Sequence, residues 1–144
     1  MMEGNSELLN FIYQNSQMGA ITTKQLIRSS EDKEFKKHLG EQFYKYQEIN
    51  ADAKRMLNDN GYDEEGISKF EKIKTYFAIN MHTLADKSTS HIAEMLMTGS
   101  NMGVIDGVRK LKKYHDAEPQ IKGLMVNLIE TEEDNREELK RYLS

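Results

Sequence analysis

Residues 15–23 read NSQMGAITT, and residues 99–107 read GSNMGVIDG. Four residues of the first segment recur 84 positions later in the second: Ser16, Met18, Gly19 and Ile21 correspond to Ser100, Met102, Gly103 and Ile105. Both segments are rich in small residues, where a bundle helix ordinarily carries leucine. The repeat predicts two equivalent helices, and it raises the question of what the small residues face.

The segments that follow the two copies also match each other, now at an offset of 86 positions. AKRML at 53–57 corresponds to LKRYL at 139–143. Three apolar positions agree as well: Phe35, Leu39 and Phe43 correspond to Ile121, Met125 and Ile129. Two nearly equal offsets in succession predict that one helical hairpin occurs twice in the chain.

Apolar residues recur at intervals of three and four along nearly the whole chain, which predicts helices. The expected helices cover residues 6–29, 32–58, 68–87, 89–114 and 118–143. Their boundaries rest on cap signals. Ser6 is a candidate N-cap of the first helix, Gly61 ends the second, Ser88 or Ser90 starts the fourth, and Pro119 fits the first turn of the last.

These elements predict one all-α domain over residues 1–144, an antiparallel four-helix bundle made of two repeated hairpins. The hairpins are expected at 6–58 and 89–143, joined by a crossover at 59–88 that contains a helix of its own. A bundle with one long crossover has the ferritin-like topology. A five-helix up-and-down array is the alternative.

Three segments carry a resemblance to a known group of proteins: NSQMGAITTKQL at 15–26, DKSTSHIAEMLMTGSNMGVID at 86–106 and ETEEDNREELK at 130–140. On these residues the chain resembles the ferritin-like superfamily, in particular small uncharacterised ferritin-like proteins of Gram-positive anaerobes, over nearly its whole length. The resemblance implies a helical bundle. Proteins of this superfamily generally use a carboxylate-bridged di-iron or di-manganese centre for oxidation or storage, so the resemblance also implies such a centre.

The ligand pattern of such a centre is a Glu from each of two helices and a Glu-x-x-His from each of the other two. No Glu-x-x-His occurs in this sequence, and the nearest fragment is Glu132-x-x-Asn135, whose repeat counterpart is Tyr46-x-x-Ile49. We therefore expect neither a cofactor nor catalytic residues. If a metal were bound, the weak candidate ligands would be His91, Glu94, Glu130, Glu132 and Glu133.

Small residues are predicted to lie at i, i+3 and i+7 on the apolar faces of the two repeated helices: Ser16, Gly19 and Thr23 on one, and Ser100, Gly103 and Gly107 on the other. Small side chains let two helices approach closely. The pattern predicts a close helix crossing in which backbone fills the space of the lost metals. A ligand pocket lined by the same residues is the alternative.

Composition narrows the function classes further. The net charge of −4 disfavours binding to nucleic acid or to an anionic membrane, and the chain has no cysteine. The start, MMEGNSELLN, has no secretory-signal pattern, so a cytoplasmic protein is expected. The favoured function is a non-catalytic structural or interaction protein, with a homodimer or another protein as partner. The alternative is a di-iron or di-manganese carboxylate protein with atypical ligands.

Overall fold

A computed structural model describes residues 2–62 and 88–144, and these ranges contain helices and no β-strand. The prediction of an all-α protein is confirmed over these two ranges. The helices are α1 (Met2–Ser29), α2 (Lys33–Asp59), α3 (Thr89–Lys113) and α4 (Pro119–Leu139), followed by a short 3-10 helix (Lys140–Tyr142). The expected helix at 68–87 and nearly all of the expected crossover lie outside the described residues.

The start of α1 differs from the prediction, because the helix begins at Met2 and Ser6 lies inside its second turn. The Ser6 hydroxyl accepts a hydrogen bond from Asn10, 3.5 Å away and one turn further along the helix. The preceding turn is used for packing, since the side-chain oxygen of Asn5 accepts from the backbone N–H of Glu118 at 2.9 Å. Asn5 thus holds the start of α4 against α1. This contact accounts for a first helical turn of α1 that lies before Ser6.

The other boundary signals are confirmed. Ser88 is the N-cap of α3, and its hydroxyl accepts from the backbone N–H of His91 at 3.2 Å. Gly61 follows α2 with a φ of 79°, a left-handed conformation that favours glycine. Pro119 occupies the first turn of α4, where its missing N–H removes no helical hydrogen bond.

Two apolar clusters form the core, one towards each end of the bundle. The larger joins the first half of α1 and the second half of α2 to α4, and it includes Leu8, Ile12, Leu57, Ile121 and Leu128. The smaller joins the opposite helix ends, and it includes Leu26, Phe35, Leu39, Ile92 and Leu139. Since Leu57 lies near the end of α2 and Ile92 near the start of α3, those two helix ends lie at opposite ends of the bundle.

Packing is densest between α1 and α2 and between α3 and α4, the members of the two expected hairpins. The seam between α1 and α3 makes far fewer close contacts. None of the described helices is long and apolar enough to cross a membrane.

Candidate functional site

A single glutamate marks the middle of the bundle. Glu132 is only 4% exposed, and no other Asp, Glu, Lys, Arg or His side chain is buried in the described part of the chain. Its position follows from the helical period of α4, whose buried face repeats every three or four residues: Met125, Leu128, Glu132, Asn135 and Leu139. The sequence therefore places a carboxylate in the apolar stripe, where it needs partners.

Those partners come from every other described helix. The Tyr46 hydroxyl on α2 donates a hydrogen bond to Oε1 of Glu132, and the Ser100 hydroxyl on α3 donates to the same oxygen at 3.4 Å. The Asn15 amide on α1 donates to Oε2 at 3.4 Å. Asn135 in turn donates to the Tyr46 oxygen at 3.1 Å. These five residues form what we call the central network, and it joins all four helices at one level.

Burial controls the charge of the central network. Desolvation raises the pKa of Glu132 to about 7, although the hydrogen bonds from Tyr46, Asn15 and Ser100 act in the opposite direction. Burial and the neighbouring carboxylate raise the pKa of Tyr46 well above its ordinary value, so its hydroxyl stays protonated. Near neutral pH the carboxyl of Glu132 is thus poised between its neutral and ionised forms, while Tyr46 remains a donor.

The two repeated glycines make room for the central network. A Cβ added to Gly19 would lie 2.6 Å from the Tyr46 ring, and one added to Gly103 would lie 2.5 Å from Oε2 of Glu132. Both distances are too short for a real contact. Glycine at these positions gives the partner helix the volume that its large polar side chain needs.

The sequence pattern predicts helix backbone beside these small residues, whereas side chains lie nearest to the three glycines of the set. The nearest atoms to Gly19, Gly103 and Gly107 are side-chain atoms of the partner helix in the same hairpin, including those of Ile129 beside Gly107. The physical reason is volume. The space that a glycine leaves is filled by the large side chain facing it, here a tyrosine, a glutamate or an isoleucine. The small residues therefore permit close side-chain packing within each hairpin.

The predicted small hydroxyl residues have separate local roles. Ser16 donates to the backbone oxygen of Tyr13 at 3.1 Å and accepts from Asn50 of α2 at 3.2 Å. Thr23 donates to the backbone oxygen of Gly19 at 2.8 Å. Both hydroxyls are buried, and both donate a hydrogen bond to a backbone oxygen of their own helix. Of the predicted serines and threonines, Ser100 alone bonds to Glu132.

The structure separates the five weak metal-ligand candidates. Glu130 and Glu133 are exposed on either side of Glu132, because neighbouring residues of a helix point about 100° apart. Glu94 is 73% exposed, and its carboxylate lies 4.0 Å from His91 on the surface of α3. Within residues 2–62 and 88–144, no group of three or more His, Asp or Glu side chains is placed to hold a metal ion.

A small cavity adjoins the carboxylate of Glu132 between α1 and α3. Its volume is about 50 Å³, and it lies where the seam between these helices is lined by Met18, Thr22, Met95 and Gly99. Gly19 and Ser100, two of the predicted small residues, also line this space. Two amide residues of the site, Asn15 and the cavity-lining Gln42, were not predicted, because isolated amides carry no periodic signal. The sequence match makes Tyr46 the counterpart of Glu132, but it does not predict the hydrogen bond between the two side chains.

Comparison with known proteins adds no relative: no protein-family model, curated protein or solved structure matches the chain significantly. The features of the chain that bear on its function are the helical bundle and the hydrogen-bonded glutamate at its centre.

Proposed function

We propose that this chain is a non-catalytic structural or interaction protein built on a ferritin-like bundle without a di-metal centre. The observation that carries the proposal is the set of groups around Glu132. A di-metal centre needs several carboxylates and imidazoles facing one another. Around Glu132 stand the hydroxyls of Tyr46 and Ser100 and the amide of Asn15, which donate hydrogen bonds to the carboxylate. This donor set does not fit two metal ions.

Two features support the ferritin-like topology within this proposal. The end of α2 and the start of α3 lie in different core clusters, at opposite ends of the bundle. A bundle whose two hairpins are joined from one end to the other is the one-crossover arrangement. In addition, the contacts of Gly19 with Tyr46 and of Gly103 with Glu132 follow the same offsets, 84 and 86, as the sequence repeat.

The interaction part of the proposal is supported by the outer face of α3. Met102, Ile105 and Val108 follow one another at intervals of three residues and are 59%, 43% and 36% exposed. Residues at this spacing are neighbours on a helix surface. We take a homodimer through this face as the first case to test, by sedimentation velocity of the parent and of Ile105→Lys. A parent protein that sediments as a monomer at every concentration would remove the homodimer from the proposal.

Metal analysis tests the proposal as a whole. The protein is purified without chelators, incubated with ferrous iron or manganese under anaerobic conditions, desalted and measured by elemental analysis. We expect far less than one metal ion per chain. Glu132→Gln and the exposed neighbour Glu133→Gln serve as a matched pair. Stoichiometric metal in the parent that is lost in Glu132→Gln but kept in Glu133→Gln would contradict the proposal and establish the di-metal alternative.

A further inference from the structure

The cavity beside Glu132 is lined by two chemically different kinds of side chain. The carboxylate of Glu132 and the hydroxyls of Ser100 and Thr22 offer oxygen atoms, while Met18 and Met95 offer apolar thioether chains. At about 10–15 Å³ per water-sized group, the volume of about 50 Å³ holds only a few non-hydrogen atoms. Any ligand must therefore be small, with one polar end and one apolar end.

The charge of the carboxylate defines the polar end. Among the described residues, those that bond to Glu132 or line the cavity include no lysine, arginine or histidine. Neutral donors stabilise an ionised carboxylate without cancelling its charge, and a buried charge without a counter-ion is costly. A cation in the cavity would remove that cost, whereas an anion would add to it.

We propose that this cavity binds a small protonated primary amine, with the ammonium group at the Glu132 carboxylate and a short alkyl group against Met18 and Met95. An ammonium group has three N–H donors, and the oxygens of Glu132, Ser100 and Thr22 are acceptors of the matching kind. Sodium or potassium would share the charge but would gain nothing from the thioether chains. The inference goes beyond the proposed function, which assigns no ligand.

Calorimetric titration of the full chain with methylammonium and ethylammonium chloride tests the inference, with sodium and potassium chloride at matched ionic strength. The titration is run at about pH 8, where Glu132 is ionised. We expect saturable binding of the amines and none of the metal salts. Glu132→Gln should weaken binding by roughly tenfold or more, as the loss of a charged hydrogen-bond partner does. Glu133→Gln removes the same charge from the exposed side of α4 and should leave the affinity unchanged.

A second variant keeps the test decisive if Glu132→Gln folds poorly. Gly99 lines the cavity, and a Cβ added there meets no atom of the described residues within 4 Å. Gly99→Leu should therefore fold and should weaken amine binding by obstructing the cavity. An equal response to sodium chloride, equal binding by Gly99→Leu, or equal binding by a folded Glu132→Gln would each overturn the inference. Metal analysis is a separate measurement, so the two proposals can fail independently.

Discussion

The two hairpins solve the same packing problem with opposite chemistry. In the first, Gly19 of α1 leaves room for the Tyr46 ring, and in the second, Gly103 of α3 leaves room for the Glu132 carboxylate. One half therefore brings a hydrogen-bond donor to the bundle centre and the other half brings an acceptor. The two meet directly, since Tyr46 donates to Glu132. Positions that correspond in the sequence match can thus carry complementary hydrogen-bonding groups.

The largest expected effect is a pH dependence of the unfolding free energy that is caused by Glu132. The pKa of Glu132 is raised from 4.5 to about 7 in the fold, so the folded state holds this proton more tightly than the unfolded state. The resulting stabilisation is complete below about pH 4.5 and is lost as the pH rises to about 7, a total of about 3 kcal/mol. Urea unfolding from about pH 5 to about pH 8 measures it.

Glu132→Gln supplies the control for this measurement, because its side chain has no proton to release. The difference in unfolding free energy between the parent and Glu132→Gln should change by about 2–3 kcal/mol over this pH range, in favour of the variant at high pH. Identical pH profiles for the two proteins would show that Glu132 does not titrate in the fold as burial requires.

Alanine substitutions at Gly19 and Gly103 should destabilise the protein to different degrees, because the side chains that the new methyl groups meet differ in flexibility. Gly19→Ala forces a methyl group against the Tyr46 ring, which is buried and rigid, and should cost about 1–3 kcal/mol of unfolding free energy. Gly103→Ala meets the far end of a flexible glutamate, which can retreat by weakening its hydrogen bonds, so its cost should be smaller. Thermal unfolding ranks the two variants. A higher melting temperature than the parent for Gly19→Ala would refute the close packing of Tyr46.

Removing the donor while keeping the ring sharpens the comparison. Tyr46→Phe retains the packing against Gly19 but deprives Glu132 of its closest partner, at a cost of about 1–2 kcal/mol. Because the Tyr46 hydrogen bond lowers the pKa of Glu132, that pKa should rise further in the variant. NMR titration of the Glu132 side chain measures it. Ser100→Ala, which removes a longer hydrogen bond of 3.4 Å, should shift the pKa less. A pKa unchanged by Tyr46→Phe would contradict the assignment of Tyr46 as the main donor.

The smallest effect should have the opposite sign. A Cβ added to Gly40 of α2 or Gly123 of α4 meets no described atom within 4 Å. Gly40→Ala and Gly123→Ala should therefore stabilise the protein by up to about 1 kcal/mol through helix propensity. They are matched controls for Gly19→Ala and Gly103→Ala in the same unfolding assay. Loss of stability in both would mean that helix glycines in this chain are required for reasons other than side-chain packing.

Local sequence patterns determined the helices of this protein. Apolar spacing predicts α2, α3 and α4 closely, because each turn of a helix repeats the same burial. Cap signals at Ser88, Gly61 and Pro119 are also local, and the structure confirms them. Ser6 failed as a cap because a serine can also lie inside a helix when the preceding turn packs elsewhere, as Asn5 does on Glu118. A helix boundary can thus be predicted from sequence only where neighbouring residues, and not tertiary contacts, determine it.

The tertiary structure alone decided what the repeated glycines face. The sequence shows that Gly19 and Gly103 are small, but a helix backbone, a cavity and a large side chain all require small neighbours. The outcome depends on which residue of the partner helix arrives there, Tyr46 in one hairpin and Glu132 in the other. Each of these pairings joins residues of two different helices, and no spacing rule within one helix specifies it. Burial then sets the chemistry, because the same glutamate on the exposed side of α4 would be an ordinary surface acid.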